Sequence, residues 1–141
     1  MPARRVPNAT TQPVARFRLR VTAGEAIFVG PGKVALLEAI RETRSITAAA
    51  KTLGMSYRRA WLLVDELNRS LAGVAVESAI GGERGGGSQL TTLGLELIDV
   101  YRRIEATAAR ACAKDIARLL ELASPRAPRP SASRRRSRST P

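Results

Sequence analysis

Four side chains near the middle of the chain have the chemistry to bind nucleic-acid bases or phosphate groups. Tyr57, Arg58, Arg59 and Trp61 stand close together in the segment SYRRAW. An arginine guanidinium presents a rigid fork of N–H donors to guanine or to phosphate oxygens. On a helix these residues occupy the first turn and a half, which is typical of a helix whose N-terminal end enters the DNA major groove. The alternative is an ordinary solvated helix face with a partly buried Trp61.

The flanking residues predict that this helix is the second helix of a helix-turn-helix. Ser45 can cap the first helix and Ser56 the second, because a serine hydroxyl accepts a hydrogen bond from an orphan N–H one turn on. Gly54 stands where the chain must leave the first helix in a left-handed conformation, which costs glycine little. Met55 is predicted to fill the turn. The predicted apolar faces are Ile46, Ala49, Ala50 and Leu53, followed by Ala60, Leu63, Val64, Leu67 and Leu71.

The second helix has a polar side and two different flanks. A rotation of about 100° per residue puts Tyr57 and Trp61 on one flank and Arg59 on the other. Trp61 has two interpretations, a DNA contact or a ring packed between the helix and the following hairpin. Packing predicts that Trp61→Ala lowers stability by several kcal/mol. The residues opposite the apolar face are Arg58, Leu62, Asp65 and Arg69.

Two short strands and a helix are predicted before the helix-turn-helix. From Arg16 to Val21, arginines alternate with apolar residues, which is the pattern of a half-buried strand. Residues 22–25 then form a turn, and residues 26–29 form a second strand. The arginines would contact phosphate or a partner protein, or serve only as a charged edge that prevents aggregation. A helix follows GPGK, which lacks Walker spacing, and ends near Thr43.

A hairpin and a long helix are predicted after the helix-turn-helix. Two strands, within residues 74–80 and 89–91, flank the segment GGERGGGS and predict a wing. Arg84 at its tip is expected to contact DNA, the alternative being a flexible hairpin without contacts. Thr91 or Thr92 can cap a last helix of about 30 residues. A helix of that length extends beyond a small core, so we expect a second copy to cover its distal half.

Composition limits the function classes. The 141 residues include 24 basic and 12 acidic side chains, one cysteine and no histidine. Residues 1–16 hold three arginines and residues 126–141 hold six, with no acid in either segment, so the ends carry most of the charge. An acidic polymer is the natural partner. Histidine-based catalysis is excluded, and a zinc site or an intramolecular disulfide is not expected. We expect no enzyme activity, no cofactor, no metal, no membrane span and no secretory signal.

The segment from GPGKVALLEAI to SYRRAW and the wing sequence GGERGGGSQLTTLG resemble the DNA-binding domain of ModE-type molybdate-responsive regulators. The resemblance runs from about Phe17 to about Ala108, and a looser one to LysR-type regulators covers only the helix-turn-helix. It implies a winged-helix dimer that binds promoter DNA and a link to molybdenum metabolism. Family members carry a C-terminal molybdate-binding region of small β-barrels. Residues 125–141 are too few and too polar for one, so a stand-alone domain is expected.

The resulting prediction is a mostly α winged helix-turn-helix with an N-terminal β-hairpin, a β-wing and a long C-terminal dimerisation helix. A disordered arm (1–15) precedes the domain (16–124), and a disordered basic tail (125–141) follows it. We expect a cytoplasmic, nucleoid-associated homodimer on a pseudo-palindromic site in double-stranded DNA. Non-specific architectural DNA binding and a protein-interaction module are the alternatives. The expected DNA-binding residues are Thr47, Ser56, Tyr57, Arg58, Arg59, Trp61, Arg69 and Arg84. The expected dimerisation residues are Leu97, Tyr101, Ile104, Ala108 and Ala111.

Overall fold

A computed structural model describes residues 12–79 and 87–123 of the chain. Phe17–Ala111 form one compact unit, and the described residues outside that range belong to a second unit. The elements of the first unit are β1 (Val21–Ala23), β2 (Ala26–Val29), α1 (Pro31–Thr43), α2 (Ile46–Thr52), α3 (Tyr57–Ser70), β3 (Val76–Ala79), β4 (Gly87–Leu90) and α4 (Thr92–Ala111). The second unit contains α5 (Ala113–Leu122).

Helix α1 is the centre of the core and contacts α2, α3, α4 and β4. Its side chains Val34, Leu36, Leu37 and Ile40 are fully buried. Burying a side chain of this size contributes roughly 1.5–3 kcal/mol, so this helix accounts for much of the apolar stabilisation. The other helices add Ala49 and Ala50 from α2, Ala60, Val64 and Leu67 from α3, and Ile98 and Tyr101 from α4.

The predicted helix-turn-helix is confirmed in its capping and its turn. The Ser45 hydroxyl accepts a hydrogen bond from the Ala48 N–H at 3.1 Å. The Ser56 hydroxyl accepts one from the Arg59 N–H, also at 3.1 Å. Gly54 adopts a φ of +66°, the left-handed conformation that favours glycine.

One residue of the predicted apolar face of α2 lies elsewhere. Leu53 is 37% exposed, because α2 ends at Thr52 and Leu53 already has the non-helical angles of its C-cap. Met55 is partly buried against the core, as predicted for a residue that fills the turn.

The N-terminal hairpin is shorter than predicted. Its first strand begins at Val21 rather than Arg16, and Val21 lies opposite Val29. The chain enters α1 directly after Gly30, so no strand remains to pair with residues 16–20. The turn between the strands includes Gly24, whose φ of +62° requires little energy only in glycine.

The two strands of the predicted wing pair antiparallel, with Val76 opposite Leu90 and Ala79 opposite Gly87. Residues 80–86 lie outside the described residues. Thr91 is the cap of α4, since its hydroxyl accepts a hydrogen bond from the Gly94 N–H at 3.1 Å. Three α-helices with this hairpin after the second helix of the helix-turn-helix confirm the predicted winged helix-turn-helix.

The last predicted helix is divided into α4 and α5. Cys112 separates them, and its ψ of 9° departs from the value of about −42° found in an α-helix. Within the described part of the chain, no helix is long and apolar enough to cross a membrane. The same residues contain no cluster of three or more acidic, histidine or cysteine side chains that could hold a metal ion.

Candidate nucleic-acid interface

The N-terminal half of α3 presents a broad exposed surface. Tyr57 is 55% exposed, Trp61 48% and Leu62 46%, and Arg58 and Arg59 are also exposed. This surface exists because Ser56 caps α3 immediately before Tyr57, so the aromatic and basic residues occupy its first turns. Aromatic rings, an apolar side chain and two guanidinium groups together can contact bases, thymine methyls and phosphates.

Trp61 lies outside the buried core, and its side chain is 48% exposed. About half of its surface is therefore available for a contact with DNA. Residues 80–86 of the wing lie outside the described residues, so packing of Trp61 against the wing stays a prediction, tested by the stability of Trp61→Ala.

The remaining predicted DNA-binding residues have different surroundings. Thr47 is exposed in the first turn of α2. Ser56 is exposed and serves as the cap of α3. Arg69 forms an ion pair on the surface of α3, with 3.0 Å between its Nε and Oδ2 of Asp65. Arg84 lies outside the described residues.

Asn68 connects α3 to the first strand of the wing. Its Oδ1 accepts hydrogen bonds from the N–H groups of Ala75 at 2.9 Å and Val76 at 3.2 Å. Its Nδ2 donates to the Val76 carbonyl at 3.1 Å. The sequence predicts no role for Asn68, because these partners lie in another element and no local pattern marks them. The three bonds fix the base of the wing against α3.

The wing is also attached to α4 and to the α1–α2 turn. The Thr91 N–H donates to the Ala75 carbonyl at 3.0 Å, and the Thr91 hydroxyl donates to Val74 O at 2.6 Å. A Cβ at Gly94 would lie 2.4 Å from the Ala75 oxygen, so only glycine permits this close approach. The Arg44 carbonyl accepts from the Ser88 N–H at 3.0 Å.

Lys33 connects α3 to the N-terminal hairpin. Its side chain is only 6% exposed. Its Nζ donates to the Ile27 carbonyl at 2.6 Å and lies 3.1 Å from Oε2 of Glu66. A buried lysine is stable only when its charge is paired and hydrogen-bonded, and here both partners are present. From the sequence, Lys33 is only the last residue of the GPGK segment, and neither contact is predicted.

Helix α4 is joined to α1 and to the segment before β1 by polar contacts. The Arg102 guanidinium donates to Glu38 on α1 and, at 2.6 Å, to Glu105 on α4, and these contacts raise the pKa of Arg102. The Tyr101 hydroxyl donates to the Leu19 carbonyl at 2.8 Å. Burial, and secondarily the negative charge of Glu105, raise the pKa of Tyr101.

The predicted dimerisation residues fall into two groups. Tyr101 is 3% exposed and belongs to the core of its own chain, so its assignment to a surface is wrong. Leu97 is partly buried against that core. By contrast, Ile104 is 47% exposed. A groove of about 400 Å³ on α4 is lined by Val100, Arg103, Ile104, Thr107, Ala108 and Ala111. Val100 is absent from the predicted set because that set includes Tyr101, the next residue along the helix, in its place.

Comparison with known proteins identifies relatives of the winged helix-turn-helix. The chain is 48% identical to the molybdenum-pterin-binding protein MopB of Rhodobacter capsulatus over 82 residues. These residues make up 58% of this chain and 30% of that protein. It is 38% identical over 87 residues to the transcriptional regulator ModE of Yersinia pestis, covering 62% of this chain and 33% of that protein. ModE-type proteins are homologues of this domain.

A further relative is the DNA-binding transcriptional dual regulator ModE of Escherichia coli K12. It is 37% identical over 87 residues, which make up 62% of this chain and 33% of that protein. The chain thus spans about a third of the length of these ModE-type relatives. No protein-family model matches the chain.

Among solved structures, the DNA-binding domain of CbnR in complex with DNA aligns with a TM-score of 0.48 and 26% identity. The alignment covers 62% of this chain and 95% of that chain. ArgP from Mycobacterium tuberculosis aligns with a TM-score of 0.42 and 24% identity, over 63% of this chain and 30% of that one. The fold assignment rests on the order and pairing of the elements described above.

Proposed function

We propose that the chain is a sequence-specific DNA-binding transcriptional regulator and that α3 is its recognition helix. The observation that carries the proposal is the exposed N-terminal half of α3, where Tyr57, Arg58 and Leu62 stand on a capped helix of a helix-turn-helix. Such a helix fits the major groove, and a guanidinium and an apolar side chain distinguish guanine and thymine there. The proposal assigns no catalytic role to the chain.

A link to molybdenum is part of the same proposal. Its support is the set of relatives, which include a molybdenum-pterin-binding protein and a molybdenum transport protein ModE. A regulator of this type acts where the DNA is, so the proposal includes a cytoplasmic, nucleoid-associated location.

The proposed regulator acts as a homodimer through α4. Support comes from the groove on α4 and from the exposure of Val100 and Ile104, at 40% and 47%. Exposed apolar side chains at helical spacing favour association with a second helix. In the second unit, Leu119 and Leu122 on α5 are 63% and 65% exposed. Two copies would present two recognition helices at a fixed separation, which favours a pseudo-palindromic operator.

The experiment that tests the proposal is an unbiased selection of duplex DNA by the purified full chain at near-physiological salt. An enriched pseudo-palindrome is the expected result, and a titration with and without molybdate then tests the molybdenum link. A second selection uses a chain that lacks residues 125–141. If no motif is enriched and binding disappears with this deletion, non-specific architectural binding replaces the proposal, because the arginines of that segment then supply the affinity.

Arg58→Ala gives a sharper test of α3 as the recognition helix. If Arg58 contacts a base, its loss reduces the preference for the selected operator over unrelated duplex by about 1–3 kcal/mol. Arg41→Ala is a matched control, because Arg41 is also exposed and lies on α1. Equal weakening on operator and unrelated duplex would remove Arg58 from base recognition.

A protein-interaction module is the second candidate function. It is favoured by the exposed apolar and aromatic surface of Trp61 and Leu62, which a partner protein could cover as well as DNA could. This candidate predicts that the full chain binds no duplex even at low salt. Measurable low-salt binding that Arg58→Ala weakens would exclude it.

A further inference from the structure

A basic cleft lies along the flank of α3 opposite Asn68. We call it the hairpin cleft, because it lies between α3, the start of α1 and the N-terminal hairpin. Its volume is about 640 Å³. The lining residues that matter are Arg20, Gly30, Lys33, Arg59, Glu66 and Arg69. At about 100° per residue, Arg59 and Glu66 lie on the α3 flank turned away from Asn68, so the wing and the hairpin cleft are on opposite sides of the helix.

Two guanidinium groups in this cleft have no ion-pair partner among the described residues. Four basic side chains and two acidic ones, Glu25 and Glu66, line the cleft, which gives a net charge of +2. Lys33 is paired with Glu66, and Arg69 is paired with Asp65. Within residues 12–79 and 87–123, neither Arg20 nor Arg59 forms an ion pair.

Arg20 is held close to the start of α1. A Cβ placed on Gly30 would lie 3.5 Å from Cγ of Arg20, so the stem of this arginine passes beside the first turn of α1. Lys33 fixes the same corner, because it joins the Ile27 carbonyl of the hairpin to Glu66 of α3. Arg59 is on α3 itself, and Arg20, directly before β1, therefore lies at a corner that Lys33 joins to α3.

The widths of an α-helix and of the DNA major groove indicate which part of the DNA lies beside the hairpin side of α3. An α-helix with its side chains is about 10–12 Å across, and the major groove of B-DNA is about 12 Å wide. When α3 enters the groove, each of its flanks therefore lies beside one sugar–phosphate backbone. The wing occupies one flank, and Arg20 and Arg59 of the hairpin cleft occupy the other.

We propose that Arg20 and Arg59 form a phosphate-binding site for the DNA backbone on the hairpin side of α3. The wing and this site then flank the two walls of the groove, and Arg58 between them reads bases. Arg59 thereby becomes a contact that positions the protein and carries no sequence information. The inference rests on the proposed DNA binding and adds the ligand of the hairpin cleft.

The test measures the affinity of the full chain for the selected operator and for an unrelated duplex of equal length over a series of salt concentrations. Arg20→Gln should lower the slope of log K against log salt by about 0.9, the value for one lost phosphate contact. It should weaken both duplexes by the same factor, and Arg59→Gln should do likewise. Arg20→Lys keeps the charge and should keep the wild-type slope.

Arg41→Gln is the matched control, because it removes one exposed arginine of α1 outside the hairpin cleft. The site is overturned if the wild-type chain binds DNA and Arg20→Gln and Arg59→Gln both show the same slope of log K against log salt as Arg41→Gln. It is also overturned if the two substitutions weaken binding to the operator only. Melting curves of the variants show whether each is folded, and the two substitutions provide independent measurements. A wild-type chain that binds neither duplex at low salt would instead overturn the proposed function itself.

Discussion

The two flanks of α3 are attached to their neighbours by different chemistry. On the wing flank, Asn68 makes three neutral hydrogen bonds to backbone groups of Ala75 and Val76. On the hairpin flank, the Lys33 ammonium bridges the Ile27 carbonyl and the Glu66 carboxylate. The amide fixes direction as well as distance, since its donor and acceptor positions are rigid, whereas an ammonium is a compact charge on a flexible stem.

This difference predicts different responses to solution conditions. Neutral hydrogen bonds to buried backbone groups change little with ionic strength. The pair of Lys33 and Glu66 is weakened by salt, because the Glu66 side chain is 58% exposed and its charge is screened. The attachment of the wing to α3 is therefore insensitive to ionic strength, whereas salt weakens the attachment of the hairpin.

Asn68→Ala should have the largest effect on stability. It removes three hydrogen bonds and leaves two N–H groups and one carbonyl at the base of the wing without these partners, which costs roughly 3 kcal/mol. Urea unfolding in about 0.1 M and about 1 M NaCl measures the loss, which should be the same in both. Ser70→Ala is the control, because it removes one hydrogen bond to Glu66 O on the same helix and should change stability by at most about 0.5 kcal/mol. A loss for Asn68→Ala no larger than that of the control would contradict the attachment.

Lys33→Met should cost less and should depend on salt. Methionine keeps most of the buried stem volume but cannot donate to Ile27 O or pair with Glu66, so about 2 kcal/mol is expected in about 0.1 M NaCl. The loss should shrink in about 1 M NaCl, where the wild-type pair is screened. The same unfolding measurements provide the comparison with Asn68→Ala. If the two losses respond equally to salt, the proposed distinction between the flanks is wrong.

The contrast between flanks also explains which features the sequence could predict. Ser45, Gly54 and Ser56 were assigned correctly because each acts on residues within one turn of itself. Asn68 has its partners seven and eight residues away in another element, and its position on a polar flank resembles that of any solvated asparagine. The contacts of Lys33 likewise depend on how β2 and α3 meet, which no local spacing records.

The incorrect assignment of Tyr101 to a surface has a physical origin that a comparison with Trp61 shows. Both are large aromatic residues on one side of a helix, yet Trp61 is 48% exposed and Tyr101 is 3% exposed. Periodicity shows which residues share a face, but the neighbours that cover the face come from tertiary packing. Leu19 and α1 are such neighbours for α4, and the sequence alone does not place them.

Tyr101→Phe should have the smallest effect and the clearest pH dependence. The substitution removes the hydrogen bond to Leu19 O, which holds the segment before the hairpin to α4, and should cost about 1 kcal/mol near pH 8. The pKa of Tyr101 is raised above its ordinary value of 10.0 by burial and then by Glu105, so the folded state favours the neutral phenol. Its contribution is therefore complete below pH 10 and is lost as pH rises through the raised pKa.

Free energies of unfolding for wild type and Tyr101→Phe, measured from about pH 8 to about pH 11, should converge at the alkaline end, because the variant has no phenol to ionise. A difference that stays constant over this range would mean that the phenol titrates alike in the folded and unfolded chains, which would contradict the raised pKa of Tyr101.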